Sequence, residues 1–229
     1  MISPSLKALL LLGLAGTVLS GCVYHTPRAP LSQHADSQFY KSDLPGFSIT
    51  QNRFVARELD HLLYRDPNFI PLALSRKAEL WDQIHAIFIQ ESMPLELLSV
   101  AIVESGLRIK ARSPRGAAGL WQFTKPTASA YGLSVGLFQD QRYDPSKSTR
   151  AALRHLRDLY KRYDDWNLAL AAYNAGPGLV DRICKEEGST DFWELLRADR
   201  FPKETRRYVP RILAASILIQ EYAQNRATT

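Results

Sequence analysis

One glutamate at the end of an apolar segment is the residue best suited to chemistry in this sequence. Glu104 follows the apolar residues 95–103 and is followed by Ser105 and Gly106. As a helix, this segment would be buried on most sides, and Gly106 suits the left-handed position just past a helix end. A carboxyl group there faces the negative pole of the helix in apolar surroundings, and both effects raise its pKa. Glu104 is therefore a candidate general acid near neutral pH.

The segment that follows Glu104 has the composition of a binding loop. Residues 113–132 are rich in glycine and small side chains, which let a backbone approach a ligand closely. The side chains in this segment whose aromatic faces or amide could hold a sugar are Trp121, Gln122, Phe123 and Tyr131. These features predict that a ligand binds beside Glu104.

From the residues alone, a structural interpretation of Glu104 stays open. A glutamate at a helix end is often solvated or ion-paired, and Arg108 and Lys110 lie near it in the chain. Two later residues bear on this choice. Asn174 stands near the end of an apolar helix that stops at Gly176, where it either contacts a ligand or turns the backbone. Tyr208 offers a hydroxyl that could hydrogen-bond a buried carboxyl group.

Helices are predicted to position these residues, because strand signals are almost absent from about residue 52 onward. We predict an all-α, mainly helical fold. Pro94 opens the helix that carries Glu104, where its missing N–H costs little, and Asp144 and Asp165 are predicted caps. The other predicted helices cover residues 54–63, 72–90, 124–132, 144–163, 166–175, 177–187, 190–197 and 203–222, and the last of them contains Pro210, where it could bend.

The N-terminal residues carry a targeting signal. Residues 1–21 combine a basic residue, an apolar core and small residues at the end, which is typical of a signal peptide; the core is too short to span a bilayer comfortably. Leu-Ser-Gly-Cys resembles the bacterial lipobox, so Cys22 is the predicted lipidation site and membrane anchor. Val23, where some lipoproteins carry Asp, favours the outer membrane, with the protein facing the periplasm. Residues 22–50 are predicted to be a flexible tether, and residues 51–229 a helical domain.

The distribution of the charge and the spacing of the histidines argue against nucleic-acid binding and metal binding. The formal net charge is +6 and the basic residues are scattered, which indicates a solvated surface. A nucleic-acid partner does not fit a lipoprotein signal. The 5 histidines are dispersed without metal-ligand spacing, so no metal and no cofactor are predicted.

Four short motifs, in this order and approximate spacing, resemble those of the family 1 lytic transglycosylases. The resemblance covers about residues 54–222. The motifs are Glu104-Ser105, Gly119-Leu120-Trp121-Gln122, Ala172-Tyr173-Asn174-Ala175-Gly176 and Glu204-Thr205-Arg206-Arg207-Tyr208-Val209.

The resemblance implies a lysozyme-like fold with preceding N-terminal helices and a catalytic core over about residues 91–222. It also implies cleavage of the β-1,4 bond between N-acetylmuramic acid and N-acetylglucosamine in peptidoglycan glycan strands. In this family the glutamate, here Glu104, protonates the glycosidic oxygen and then acts as a base. The C6 hydroxyl of the muramic acid attacks the anomeric carbon and leaves a 1,6-anhydro end. This agrees with the single well-placed carboxyl group, since ordinary glycosidases need two and an intramolecular nucleophile removes that need.

The resemblance also implies roles for individual residues. Ser105 and Gln122 would line the cleft near the scissile bond, and Asn174 would contact substrate. Tyr208 would orient Glu104 and help hold its proton. The aromatic residues that would shape the sugar subsites, unless they belong mainly to the core, are Trp121, Phe123 and Tyr173.

Two alternative functions stay open at this point. A goose-type lysozyme-like hydrolase would deliver water to the anomeric carbon, and a non-catalytic lipoprotein would only bind peptidoglycan. Further carboxylates that could be proposed for a hydrolase are Asp140, Asp144, Asp165 and Glu204, of which the middle two are predicted caps and the last a structural ion-pair residue. The sequence differs from the family pattern in lacking C-terminal LysM repeats, so the resemblance does not imply how the protein binds the peptidoglycan wall. It identifies no protein partner.

Overall fold

A computed structural model describes residues 52–227, so the predicted signal peptide, the lipidation site Cys22 and the whole predicted tether lie outside the described residues. Within these residues the all-α prediction is confirmed, since they form nine α-helices and no strand, only isolated bridges. The helices are α1 (Arg53–Asp60), α2 (Phe69–Gln90), α3 (Leu98–Ser105), α4 (Lys125–Ala130), α5 (Pro145–Tyr163), α6 (Trp166–Ala175), α7 (Pro177–Glu187), α8 (Phe192–Arg197) and α9 (Lys203–Ala227).

Side-chain caps set several of the helix starts, because the first backbone N–H groups of a helix have no partner within it. Asp144 accepts a hydrogen bond from the backbone N–H of Lys147 at 2.8 Å, and Asp165 accepts one from Leu168 at 2.7 Å. Both predicted caps are therefore confirmed. Thr124 caps α4 in the same way.

The buried helix α3 lies at the centre of the fold. All of its residues from Leu98 to Ile102 are buried, as the apolar sequence predicts. Helix α9 packs against α3, α6 and α1, while α5 packs against α6 and α2. The start differs from the prediction, since residues 95–97 form a single 3₁₀ turn before α3, and this leaves Leu95 37% exposed. Helix α3 is therefore a short, rigid support with Glu104 in its last turn.

Other helix boundaries also differ from the prediction, including the end of α1 at Asp60, where a π-helical turn over His61–Arg65 follows. Helix α2 begins at Phe69, three residues early, α8 begins at Phe192 after its cap Asp191, and α9 continues to Ala227. Helix α9 also passes through Pro210, although proline lacks the N–H that a helix interior uses. None of the helices in residues 52–227 combines the length and the apolar character that crossing a bilayer requires.

Candidate active site

Glu104 occupies the last turn of α3, where the chain turns sharply away from the helix. Gly106 ends the helix with a φ of 60°, in the left-handed region that glycine adopts readily. Leu107 follows with a φ of 58° and a buried side chain. The turn therefore leaves the half-buried Glu104 carboxyl group at the edge of the core, as the sequence predicts.

Burial raises the pKa of Glu104 from 4.5 to about 7, because the anion loses its hydration. The negative charge of Glu204 raises it further, whereas a hydrogen bond from Tyr208 lowers it. The Tyr208 hydroxyl lies 2.6 Å from Oε1 of Glu104. The predicted contact is present, and as a donor the Tyr208 hydroxyl stabilises the carboxylate; its role in holding the Glu104 proton stays a prediction. The apolar surroundings keep the carboxyl group protonated.

The structural interpretation of Glu104 as half of an ion pair is wrong. In residues 52–227, neither Arg108 nor Lys110 forms a salt bridge with it. The Arg108 Nε instead donates to the backbone oxygen of Ser105 at 2.9 Å. Tyr208 is thus the hydrogen-bonding partner that the described residues supply to the Glu104 carboxyl group.

The other carboxylates proposed from the sequence are engaged elsewhere. Asp144 and Asp165 cap helices, as described above. Asp140 binds the Arg142 guanidinium through both oxygens, at 2.9 and 2.7 Å. Glu204 forms an exposed 3.2 Å ion pair with Arg115. Each of the four is therefore engaged in an ion pair or a helix cap.

A buried arginine holds the loop that faces Glu104. Arg142 is 4% exposed and donates from Nη1 to the backbone oxygens of Gly116, at 2.8 Å, and Phe123, at 3.0 Å. At Gly119 the loop passes so close to Arg142 that a Cβ would lie 1.8 Å from its backbone oxygen, and the φ of 82° also requires glycine. The sequence analysis did not identify Arg142, because its contacts join residues about 20 positions apart.

Gln122 and Glu104 line the same cleft, as predicted. The cleft has a volume of about 510 Å³, and its lining residues are Glu104, Arg108, Lys110, Ala111, Arg112, Ser113 and Gln122. Gln122 adopts a φ of 48°, and its amide nitrogen donates to the Gly119 oxygen at 2.8 Å. Its amide oxygen is therefore turned away from that contact and can accept a hydrogen bond from a ligand.

Ser105 differs from the prediction that it lines the cleft. It is 2% exposed, and its hydroxyl is shared between the backbone oxygens of Leu120, at 2.8 Å, and Ala101, at 3.1 Å. Both acceptors are buried, which closes the side chain off from a sugar. Ser105 instead fastens the loop to α3 next to Glu104.

Helix α6 carries Tyr173, which contacts the loop that faces Glu104, and Asn174, which contacts α9. The Tyr173 hydroxyl donates to the Trp121 backbone oxygen at 2.9 Å, and its half-buried ring remains in part accessible. The Asn174 amide oxygen accepts from Thr205 at 2.8 Å, so its amide nitrogen is the group left for a ligand. Trp121 is fully buried and bonds Thr149 at 3.0 Å.

Two of the three predicted subsite aromatics therefore belong to the core. Trp121 is fully buried and Phe123 is 2% exposed, which leaves no ring face for a sugar. Tyr173 and Arg142 bind their backbone oxygens, and Gln122 between them lines the cleft instead. Tyr173 is the one of the three that can still contact a ligand.

The geometry amounts to a proton donor in a cleft that is open on one side. The cleft contains one carboxyl group, Glu104, among its described lining residues. With a pKa of about 7, this group can both deliver and accept a proton near neutral pH. The arrangement suits acid–base catalysis on a polar substrate that supplies its own nucleophile.

A comparison with known families agrees with this geometry. The profile of the transglycosylase SLT domain matches residues 76–196, more than half of the chain. The chain belongs to the transglycosylase SLT domain family. The matched part of this SLT protein contains Glu104, Gln122 and Asn174, while Tyr208 comes from α9 beyond it.

Individual relatives of the SLT protein include lytic transglycosylases. Membrane-bound lytic murein transglycosylase D of Escherichia coli (strain K12) is 41% identical over 136 residues, which are 57% of this chain and 29% of the relative. A putative tributyltin chloride resistance protein of Alteromonas sp. (strain M-1) is 39% identical over 94 residues, 41% of this chain and 45% of that one. The chain thus spans less than half the length of either relative.

Solved structures confirm the predicted lysozyme-like fold. The 70 kDa soluble lytic transglycosylase SLT70 of Escherichia coli superimposes with a TM-score of 0.54 at 23% identity, covering 76% of this chain and 32% of that one. The complex of the 70-kDa soluble lytic transglycosylase with bulgecin A gives a TM-score of 0.56 at 20% identity, covering 82% and 38%. At this identity the likeness concerns the fold.

Proposed function

We propose that the protein is a peptidoglycan lytic transglycosylase. It would cleave the β-1,4 bond between N-acetylmuramic acid and N-acetylglucosamine and leave 1,6-anhydromuramic acid ends. The observation that carries this proposal is the Glu104 carboxyl group, hydrogen-bonded to Tyr208, with a pKa of about 7 and no second carboxylate among the described residues that line the cleft. Membership of the SLT family and the names of the relatives support it.

The chemistry follows from one proton that moves in both directions. Glu104, protonated by virtue of its burial, gives its proton to the glycosidic oxygen, and the bond from that oxygen to C1 of the muramic acid breaks. The N-acetylglucosamine leaves with a free 4-hydroxyl group. The Glu104 carboxylate then takes the proton of the C6 hydroxyl, whose oxygen bonds to C1. Glu104 ends protonated as it began, and no water enters the product.

Tyr208 counteracts the effect of burial on the pKa of Glu104. Its hydroxyl donates to Oε1 of Glu104 and stabilises the carboxylate that exists between the two proton transfers. Desolvation of Glu104 opposes this and favours the acid. The two effects place the pKa near neutrality, where one group serves as acid and base.

The remaining site residues would bind and orient the glycan. The Gln122 amide oxygen would accept from a sugar hydroxyl or N-acetyl N–H, and the Asn174 amide nitrogen would donate to a sugar oxygen. Tyr173 would contact the sugar ring with its accessible face. Ser105 would act through the loop backbone that it holds.

The N-terminal sequence supports a localisation for the protein. Cleavage before Cys22 and its lipidation would anchor the protein in the outer membrane, facing the periplasm, and the tether of residues 22–50 would let the domain reach the peptidoglycan. The relatives named as membrane-bound lytic murein transglycosylases support a membrane-associated enzyme.

The test is mass spectrometry of the muropeptides released from purified peptidoglycan. We expect the protein to release fragments lighter by one water than hydrolytic products, and Glu104→Gln to release none while keeping its helical circular dichroism spectrum. Reducing-end products would instead identify a goose-type hydrolase. Failure of the wild-type protein to release any fragment would leave a non-catalytic peptidoglycan-binding lipoprotein.

A further inference from the structure

The cleft beside Glu104 has a strongly basic rim. Three of its seven described lining residues are cations, namely Arg108, Lys110 and Arg112, and all three are exposed. They fall in one stretch of five residues directly after the turn that ends α3. We call these three residues the basic rim.

The charge of the basic rim is not neutralised by the protein. Among the side chains that the structure describes, no carboxylate lies within 4.0 Å of a rim cation. Three arginines of α5, by contrast, share one carboxylate: Arg157 contacts Glu91 at 3.2 Å, and Arg150 and Arg154 approach it at 3.6 and 3.7 Å. The rim therefore presents its positive charge to whatever occupies the cleft.

The backbone of the basic rim is held in place on both sides. The Ala111 N–H bonds the Arg108 oxygen at 3.1 Å, and the Gly119 N–H bonds the Ala111 oxygen at 2.9 Å. Arg112 forms an isolated bridge with Ala118, and the buried Leu107 fixes the entry to the segment. A rigid backbone limits the entropy lost when the side chains bind a ligand.

Peptidoglycan offers one kind of group that matches this charge. Its sugars are neutral, whereas the peptide stems on the muramic acid residues carry free carboxylates. The stem is attached to the same sugar ring that carries C1, so a muramic acid bound with its C1 at Glu104 holds its stem within a few bonds of the reacting carbon. Removal of the stem by an amidase creates a second source of the same chemistry, the free lactyl carboxylate.

We propose that Lys110 and Arg112, together with Arg108, bind a carboxylate of the peptide stem, which makes the protein selective for stem-bearing glycan. This inference rests on the proposed function, and it names the part of the substrate that the basic rim recognises. Arg108 is tied to the Ser105 backbone oxygen next to Glu104, so the two residues suitable for substitution are Lys110 and Arg112.

The test compares three substrates with purified full-length protein in detergent. The first is soluble, uncross-linked glycan with native stems, and the second is the same glycan with its carboxylates converted to amides by carbodiimide and ammonia. The third is glycan stripped of its stems by an amidase. The variants are Lys110→Gln/Arg112→Gln and the control Lys161→Gln/Lys185→Gln, which removes the same charge from exposed helix positions outside the described cleft lining.

On native glycan we expect the rim variant to raise KM about threefold to tenfold, as for one or two exposed charge contacts, with kcat within about twofold. The control variant should match the wild type. On amidated glycan the rim variant and the wild type should have the same KM, because the ligand carboxylate is gone. This substrate dependence separates recognition from a structural defect.

Three results would overturn the inference and leave the proposed function intact. The first is that the rim variant and the wild type have equal KM values on native glycan. The second is that the KM of the rim variant stays raised on amidated glycan. The third is that its KM is raised equally on stripped glycan, which would assign the rim to the lactyl carboxylate. Absence of cleavage of every substrate by the wild-type protein would overturn the proposed function itself.

Discussion

Glu104→Gln should make the folded protein more stable at alkaline pH, an effect opposite to that of most carboxylate substitutions. The pKa of Glu104 rises from 4.5 to about 7 on burial, so the folded state holds this proton more tightly than the unfolded chain does. The contribution of Glu104 is then fully present below pH 4.5 and is lost as the pH rises through 7. Glutamine stays neutral and loses nothing.

The expected size follows from the two pKa values. Each tenfold difference in proton affinity corresponds to about 1.4 kcal/mol. Relative to low pH, the fold should therefore lose about 3 kcal/mol at pH 8, and less than about 1 kcal/mol at pH 5, where Glu104 ionises in the unfolded chain but stays protonated in the folded one. The stability of Glu104→Gln relative to the wild type should increase by about 2 kcal/mol between these two pH values. The Tyr208 contact can persist, since the glutamine oxygen still accepts a hydrogen bond.

Urea unfolding followed by circular dichroism at pH 5, 6, 7 and 8 measures this difference. Glu186→Gln, on the exposed surface of α7, controls for the general effect of removing a negative charge from a basic protein. A Glu104→Gln difference that stays constant from pH 5 to pH 8 would refute the reasoning, because it would mean that burial does not raise the pKa. Loss of activity in the same variant would then need another explanation.

Two further predictions concern the residues around Glu104. Tyr208→Phe removes the donor that stabilises the carboxylate, so the pKa of Glu104 should rise. The alkaline limb of the pH–rate profile for kcat/KM should then move to higher pH, with a lower maximum. A shift to lower pH would show that Tyr208 holds the proton. Gly119→Ala places a Cβ 1.8 Å from the Arg142 backbone oxygen and should cost roughly 3 kcal/mol or more of unfolding free energy in urea titrations. Gly188→Ala, also at positive φ but with open space around it, should cost only about 1 kcal/mol, and equal losses would contradict the role of close approach.

Local sequence features predicted the helices and the catalytic glutamate because each depends on neighbours in the chain. Asp144 and Asp165 cap the helices that they immediately precede, and the apolar run before Glu104 dictates a buried α3. Gly106 ends this helix for a reason that involves only its own backbone. The start of α2 at Phe69 was missed, where no side chain caps the helix.

The motifs identified which residues meet at the site, but the direction of each side chain did not follow from them. Ser105 was expected in the cleft and instead bonds the Leu120 oxygen in the core. Trp121 is a core residue whose nitrogen bonds Thr149. Both outcomes depend on partners 15 and 28 positions away, which a short motif does not contain.

The sequence by itself determined the all-α class, the order of the helices and the placement of a lone carboxyl group at the end of an apolar helix, because periodicity, caps and glycine act within a few residues. Tertiary structure alone decided the chemistry of that carboxyl group. Burial among helices far apart in the chain raises the pKa of Glu104, and α9 brings the Tyr208 hydroxyl, 104 positions later, to 2.6 Å from it. Desolvation and hydrogen bonding act through space, so the balance that lets Glu104 give and take a proton near neutral pH exists only in the folded chain.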